Sequence, residues 1–206
     1  WQCLPPRSCV PAGSAMGNVS DKLARAVREG DAEGCRAILA RGASAEGSEM
    51  GTRFILRAAA ANHVDVVCAL LDHDASMEAL VTNGVTPLWE AASKGSVEVL
   101  RVLLERGADP DSLSGSTRPL HAATLSKVRH LESMLLLLEN GASVDGQTGD
   151  GATALFLACE GGDLEAAQLL LDHGADMEAA NKDGSTPLMA AARNNGEAAV
   201  RLLLER

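Results

Sequence analysis

Gly84-Val85-Thr86-Pro87-Leu88-Trp89-Glu90-Ala91-Ala92, followed by Leu103-Leu104-Glu105-Arg106-Gly107-Ala108-Asp109, is the stretch whose reading decides the fold. The Thr86 hydroxyl is placed to accept a backbone N–H at a helix start. Pro87, at the first helical position, loses no hydrogen bond and presets φ. The Ala91-Ala92 pair lets a second helix approach closely, and Lys94-Gly95 turns the chain towards it. In that second helix Val97, Leu100, Leu103 and Leu104 share one face. Gly107 then ends it as a left-handed cap.

Outward from this stretch the pattern returns. Pairs in the register of Gly107-Ala108 stand at Gly42-Ala43, Asp74-Ala75, Gly141-Ala142 and Gly174-Ala175, a period of about 33 residues. The apolar stripe returns as Val64, Val67, Leu70, Leu71, as Leu131, Met134, Leu137, Leu138 and as Leu164, Ala167, Leu170, Leu171. The first unit has the weaker Ala32, Cys35, Ile38 and Leu39, and the last puts Glu197 ahead of Val200, Leu203 and Leu204. Helices of about ten residues are marginal alone in water. Identical stripes repeated at one period are buried by stacking the units side by side. The reading is an all-α solenoid of about six stacked helix–turn–helix units with short β-hairpin or loop fingers. The units span 20–50, 51–80, 81–113, 114–147, 148–180 and 181–206, after a disordered tail over 1–19.

Composition narrows the function. Of the 206 residues 46% are hydrophobic but only 2% aromatic, so alanine and leucine must fill the core. A net charge of −10, with no basic stripe, argues against nucleic acid and against an anionic membrane surface. The aliphatic run Leu135–Leu138 is far too short to span a bilayer. Cys35, Cys68 and Cys159 fall in helical segments and read as reduced packing residues, and no cysteine or histidine spacing suggests zinc. No phosphate-binding loop, dinucleotide fingerprint or nucleophile elbow occurs. His73 and His173 stand beside aspartates but three repeats apart. They read as cations favoured at helix C-termini, not as metal ligands. Met16-Gly17 opens a partial myristoylation pattern in which Asp21 holds the expected Ser/Thr position.

These residues resemble the ankyrin repeat, over about residues 20–206. The family's Gly-Ala-Asp signature is Gly107-Ala108-Asp109 here, and its Thr-Pro-Leu-His signature returns as Pro119-Leu120-His121-Ala122-Ala123, Thr153-Ala154-Leu155-Phe156 and Thr186-Pro187-Leu188-Met189. Trp89, Phe156 and Met189 stand where the family has His, and Asp74 stands where it has the cap glycine. The fourth unit offsets its Thr cap in Thr117-Arg118-Pro119 and carries extra residues around Ser126–His130, where a distorted turn is expected.

The resemblance implies a scaffold or adaptor that binds another protein on a concave wall of first helices and hairpin tips, with no catalytic site, cofactor or metal. By position the docking residues are Thr82, Asn83, Val85, Ser93 and Lys94, then Asp150, Ala152, Glu160 and Gly161, then Lys182, Asp183, Ser185, Arg193 and Asn194. Trp89 has two readings: an exposed anchor for the partner, or packing between repeats. The acidic balance favours a partner with a basic patch. The expected state is a monomer in the cytoplasm or nucleus, bound neither to nucleic acid nor to membrane. The alternative is the N-terminal targeting region of a larger enzyme, of kinase or ubiquitin-ligase type, cut at residue 206.

Overall fold

A computed structural model of the chain describes residues 13–49, 52–78, 84–126, 130–194 and 196–206. Among them lie twelve α-helices and one two-stranded antiparallel hairpin. The helices pair as α1 (Gly13–Glu29) with α2 (Ala32–Leu39), α3 (Phe54–Ala60) with α4 (Val64–Leu71), and α5 (Pro87–Lys94) with α6 (Val97–Glu105). The series continues as α7 (Pro119–Leu125) with α8 (His130–Glu139), α9 (Ala154–Gly161) with α10 (Leu164–Asp172), and α11 (Pro187–Arg193) with α12 (Glu197–Leu204). The hairpin, β1 (Ser48–Glu49) with β2 (Thr52–Arg53), forms the first finger.

Odd-numbered helices pack on odd-numbered neighbours and even on even, and each substantial contact stays within a unit or between adjacent units. The solenoid arrangement expected from the period is therefore the one observed. One continuous core runs through it from Leu23 to Leu203, made mostly of alanine, leucine and valine. Leu100, Leu103 and Leu170 are fully buried; each such side chain contributes roughly 1.5–3 kcal/mol. Burial pushes the Cys35 and Cys159 thiols up to about 11, so they stay protonated among the packed helices.

The caps follow local chemistry. Thr86, Thr153 and Thr186 each accept the backbone N–H three residues on, at 3.3, 3.2 and 3.4 Å. Gly107 and Gly174 have φ of +89° and +82°, and Asp74, the substitute for the cap glycine, takes φ +64°. The fourth unit differs. Arg118 precedes α7 without a side-chain cap, and the His121 Nδ1 accepts the Arg118 N–H at 3.1 Å instead. At the other end of α7, Ser126 is extended (φ −70°, ψ 146°), where α5 and α9 close on left-handed Gly95 and Gly162. The rest of the turn expected to be distorted lies at 127–129, outside the described residues.

One boundary is corrected. α1 begins at Gly13, so residues 13–19 of the expected tail are helical. Pro5, Pro6 and Pro11 lie upstream of it, and nothing from Gly13 to Glu29 interrupts a helix with proline.

Neighbouring units are also joined by a recurring carboxylate. Glu46 accepts the Ser76 N–H, Asp111 accepts the Ser143 N–H at 3.1 Å, and Asp145 accepts the Asp176 N–H at 2.9 Å. Each bond crosses one period, so the loops keep the register that the helices set.

Candidate protein-docking face

Helical spacing sorts α5 into a buried and an open side. Leu88, Ala91 and Ala92 are buried, Glu90 and Ser93 are half-buried, and Lys94 is exposed. The same register in the next first-row helices gives Leu125, then Glu160 and Gly161, then Arg193 and Asn194, all exposed. Because α5, α7, α9 and α11 pack in sequence, these positions form one row along their last turns. Ser93, Lys94, Glu160, Gly161, Arg193 and Asn194, expected from sequence, are brought together there. Asn194 ties two units by donating to the Glu160 carbonyl at 2.6 Å. The exposed Lys94 lies 3.9 Å from the half-buried Glu90, a long contact that holds the lysine side chain only loosely.

The finger positions form a second row. Asp150, Lys182 and Asp183 are exposed, and Val85 and Ser185 are half-buried. Arg193 donates to the Ser185 Oγ at 3.2 Å, linking the last finger to the helix row. The fingers are also joined by backbone bonds. Gly149 N–H donates to the Ser116 carbonyl at 2.8 Å, and Lys182 N–H to the Asp150 carbonyl at 3.0 Å. Gly151 sits at that junction with φ +80°, and a Cβ on it would meet the Lys182 nitrogen at 2.9 Å. The tips are therefore held by their neighbours. Thr82 and Asn83 lie outside the described residues.

Two expected residues are placed differently from the rest. Ala152 is only 8% exposed and packs with Phe156 and Ala190, so it offers the face little surface. Trp89 is half-buried against the core, and its Nε1 donates to the Thr117 Oγ1 of the next unit at 2.9 Å. His121, at the same place in the fourth unit, bonds the Gly146 carbonyl at 2.8 Å through Nε2. With Nδ1 accepting from Arg118, Nε2 must carry the proton, and the ring is neutral. Burial foremost, with the nearby Arg118 charge, pulls its pKa below the ordinary value. In both units the residue after Pro-Leu is a strut to the finger that follows its helix pair.

Sequence reasoning missed three exposed apolar side chains: Leu125, Leu113 and Met189, at 62%, 56% and 55% exposure. The signal for Leu125 was its register with Ser93, Glu160 and Arg193. For Leu113 it was a lone leucine among the serines of a finger. Elsewhere His73 and His173 bond the Ala69 and Leu169 carbonyls of their own helices at 2.9 and 2.8 Å, as their helix-end positions suggest. Among the described residues no group of histidine, cysteine and acidic side chains is placed to hold a metal ion. No described helix is long and apolar enough to cross a membrane.

Two rows of short helices that rest only on their neighbours at a fixed period define a repeat solenoid. The chain belongs to the ankyrin repeat family: the family described as ankyrin repeats (3 copies) matches residues 23–114, 55–148 and 120–206. It is similar to an ankyrin repeat and KH domain-containing protein of Caenorhabditis briggsae, 39% identical over 48% of this chain and 4% of that one. It is also similar to human ankyrin repeat and SOCS box protein 16, 34% identical over 68% of this chain and 31% of that one. The chain thus spans a small part of these relatives. Among solved structures, the ankyrin repeat domain of Bcl-3, described as a unique member of the IkappaB protein family, superposes with a TM-score of 0.82. That likeness has 28% identity and covers 89% of this chain and 85% of the other.

Proposed function

We propose that this chain is a scaffold or adaptor that docks one partner protein along the first-helix row and the hairpin tips, the concave face of the stack. Ankyrin repeats are in general protein–protein interaction modules and typically non-enzymatic. The observation that carries the finer reading is the open row of Lys94, Leu125, Glu160 and Arg193 above buried pairs of small residues, Ala91-Ala92, Ala122-Ala123, Ala158-Cys159 and Ala190-Ala191. The row mixes both charge signs with an apolar centre, which suits a folded protein surface better than a polyanion. The stack acts as a monomer without cofactor or metal, in the cytoplasm or nucleus. Its acidic balance favours a partner with a basic patch.

The test is affinity capture with the chain and with a variant carrying Lys94→Ala, Leu125→Ala, Glu160→Ala and Arg193→Ala. The proposal expects the partner's affinity to fall at least tenfold while the circular dichroism and melting temperature stay unchanged. Undiminished affinity would overturn it.

A second reading makes the stack the targeting region of a larger enzyme of kinase or ubiquitin-ligase type. One observation favours it: the relatives carry the matching stretch within far longer chains. Reading the transcript beyond Arg206 decides between them.

A further inference from the structure

The second-helix row carries a surface that the first-row reading does not use. Across α8, α10 and α12 lies an open groove of about 970 Å³, lined by residues of those three helices and by Glu205 just beyond α12, with no first-row residue. It therefore faces away from the first-row helices. Its floor is apolar: Leu131, Leu135, Leu164, Leu169 and Leu202. Its rim is acidic: Glu132, Glu165, Asp172, Glu197 and Glu205 line it with Arg201, which pairs with Glu197 at 3.1 Å, while Arg206 at its edge pairs with Asp172 at 2.6 Å.

Leu135 is the residue that breaks the usual pattern. The other five units put Arg36, Cys68, Arg101, Gln168 and Arg201 at that place in the second helix. Leu135 is 38% exposed, where a polar side chain would cost nothing to the stack. Leu135 extends the leucine floor, and a contiguous apolar patch rimmed by charge marks an interaction surface.

The charge decides what covers it. An anionic membrane or a nucleic acid would meet five carboxylates offset by only two guanidiniums, those of Arg201 and Arg206. A second copy of this chain would bring a like-charged face, from a molecule of net charge −10. A helix with a leucine face and a lysine or arginine flank satisfies both floor and rim. We infer that the groove across α8, α10 and α12 docks a basic amphipathic helix of a partner protein, on the face of the stack opposite the first-helix row. Three helices packed about 9–10 Å apart present roughly 20–25 Å of groove, a length that about 15 residues of helix match.

The test uses a fluorescein-labelled synthetic helix of about 18 residues, with leucine at i, i+3, i+4 and i+7 and lysine elsewhere. Its fluorescence anisotropy is followed as the full chain is added. The control is a scrambled peptide of the same composition with no apolar face. The proposal expects saturable binding of the amphipathic peptide, weakened at least tenfold by Leu135→Gln and again by Glu165→Lys with Glu205→Lys. Lys94→Ala with Arg193→Ala, on the first row, should leave that binding unchanged, which separates this site from the first-row face. Four results would overturn it: no binding of the amphipathic peptide, equal binding of the scrambled one, no effect of Leu135→Gln in a variant whose dichroism is unaltered, or sedimentation showing a dimer of the free chain that Leu135→Gln dissolves.

Discussion

Leu104 and Leu204 occupy the same place in the third and the sixth unit, yet one is 9% exposed and the other 71%. Their helices differ in the same way. α6 buries Val97, Val99, Leu100, Leu103 and Leu104, whereas α12 buries Ala199 and Leu203. The local sequence barely distinguishes them. The neighbours do: α6 packs between α4 and α8, and α12 packs against α10. A leucine in a repeat stack is sheltered by the adjoining unit as much as by its own. The stabilising contribution of a position is therefore set by its place in the row.

The sharpest way to break that comparison is to truncate both leucines. Leu104→Ala is expected to destabilise by roughly 2–5 kcal/mol, near the lower end since the side chain lies at the edge of the core. Leu204→Ala is expected within about 0.5 kcal/mol of the wild type. Urea denaturation followed by circular dichroism measures both. Equal midpoints for the two variants would mean that neighbour burial does not govern the contribution.

The Thr caps carry the comparison to polar groups. Thr86 is 1% exposed and sits in a buried cluster, its Oγ1 3.4 and 3.2 Å from the hydroxyls of Ser112, at the end of its own unit, and Ser114, at the start of the next. Thr186 is half-buried and makes its cap bond without such a cluster. Thr186→Ala removes a cap, worth about 1 kcal/mol. Thr86→Ala also leaves buried hydroxyls short of a partner, and about 2 kcal/mol is expected. The difference between the two denaturation midpoints reads the cross-unit share.

His121 adds a pH dependence that the corresponding Met189 cannot have. In the folded chain its pKa is lowered by burial, while in the unfolded chain it returns to about 6.5. The unfolded state then binds more protons below that value, so stability is complete above about pH 6.5 and falls as the pH drops through it. One proton limits the slope to about 1.4 kcal/mol per pH unit. His121→Gln should lower stability at pH 7.5 and flatten this part of the profile. An unchanged slope between pH 7 and pH 5.5 would show that another group drives the loss.

The fold was legible where local chemistry writes it. The period, the Thr86 and Thr186 caps and the left-handed turn at Asp74 each follow from a few adjacent residues. The fourth unit was less legible, because His121 replaces a cap from three residues downstream and does so by reaching back to Arg118. The docking face was half legible. Ser93, Lys94, Glu160 and Arg193 follow from register alone. Ala152 reads as a finger residue, yet Phe156 and the Ala190 of the following unit cover it. The bond from Lys182 to Asp150 runs between backbone atoms, which no side-chain pattern encodes. Leu125 was less legible because no glycine turn follows it to mark the end of α7 and so fix its register.

The smallest expected effect tests the strut itself. Trp89→Phe keeps an aromatic ring at a place where Phe156 shows that phenylalanine fits, and it deletes the donor to Thr117 Oγ1. That oxygen is not orphaned, since its own hydroxyl already donates to the Ser114 carbonyl at 3.2 Å. The loss should therefore stay near the net value of one hydrogen bond, about 1 kcal/mol. Met189→Leu, at the same place in the sixth unit and 55% exposed, removes no hydrogen-bond donor and should stay within about 0.5 kcal/mol. If the two substitutions cost the same, the Trp89 indole is surface and not a link between units. It then becomes available as the anchor that its position on the first-helix row also allows, and Trp89→Phe should weaken partner binding instead of the fold.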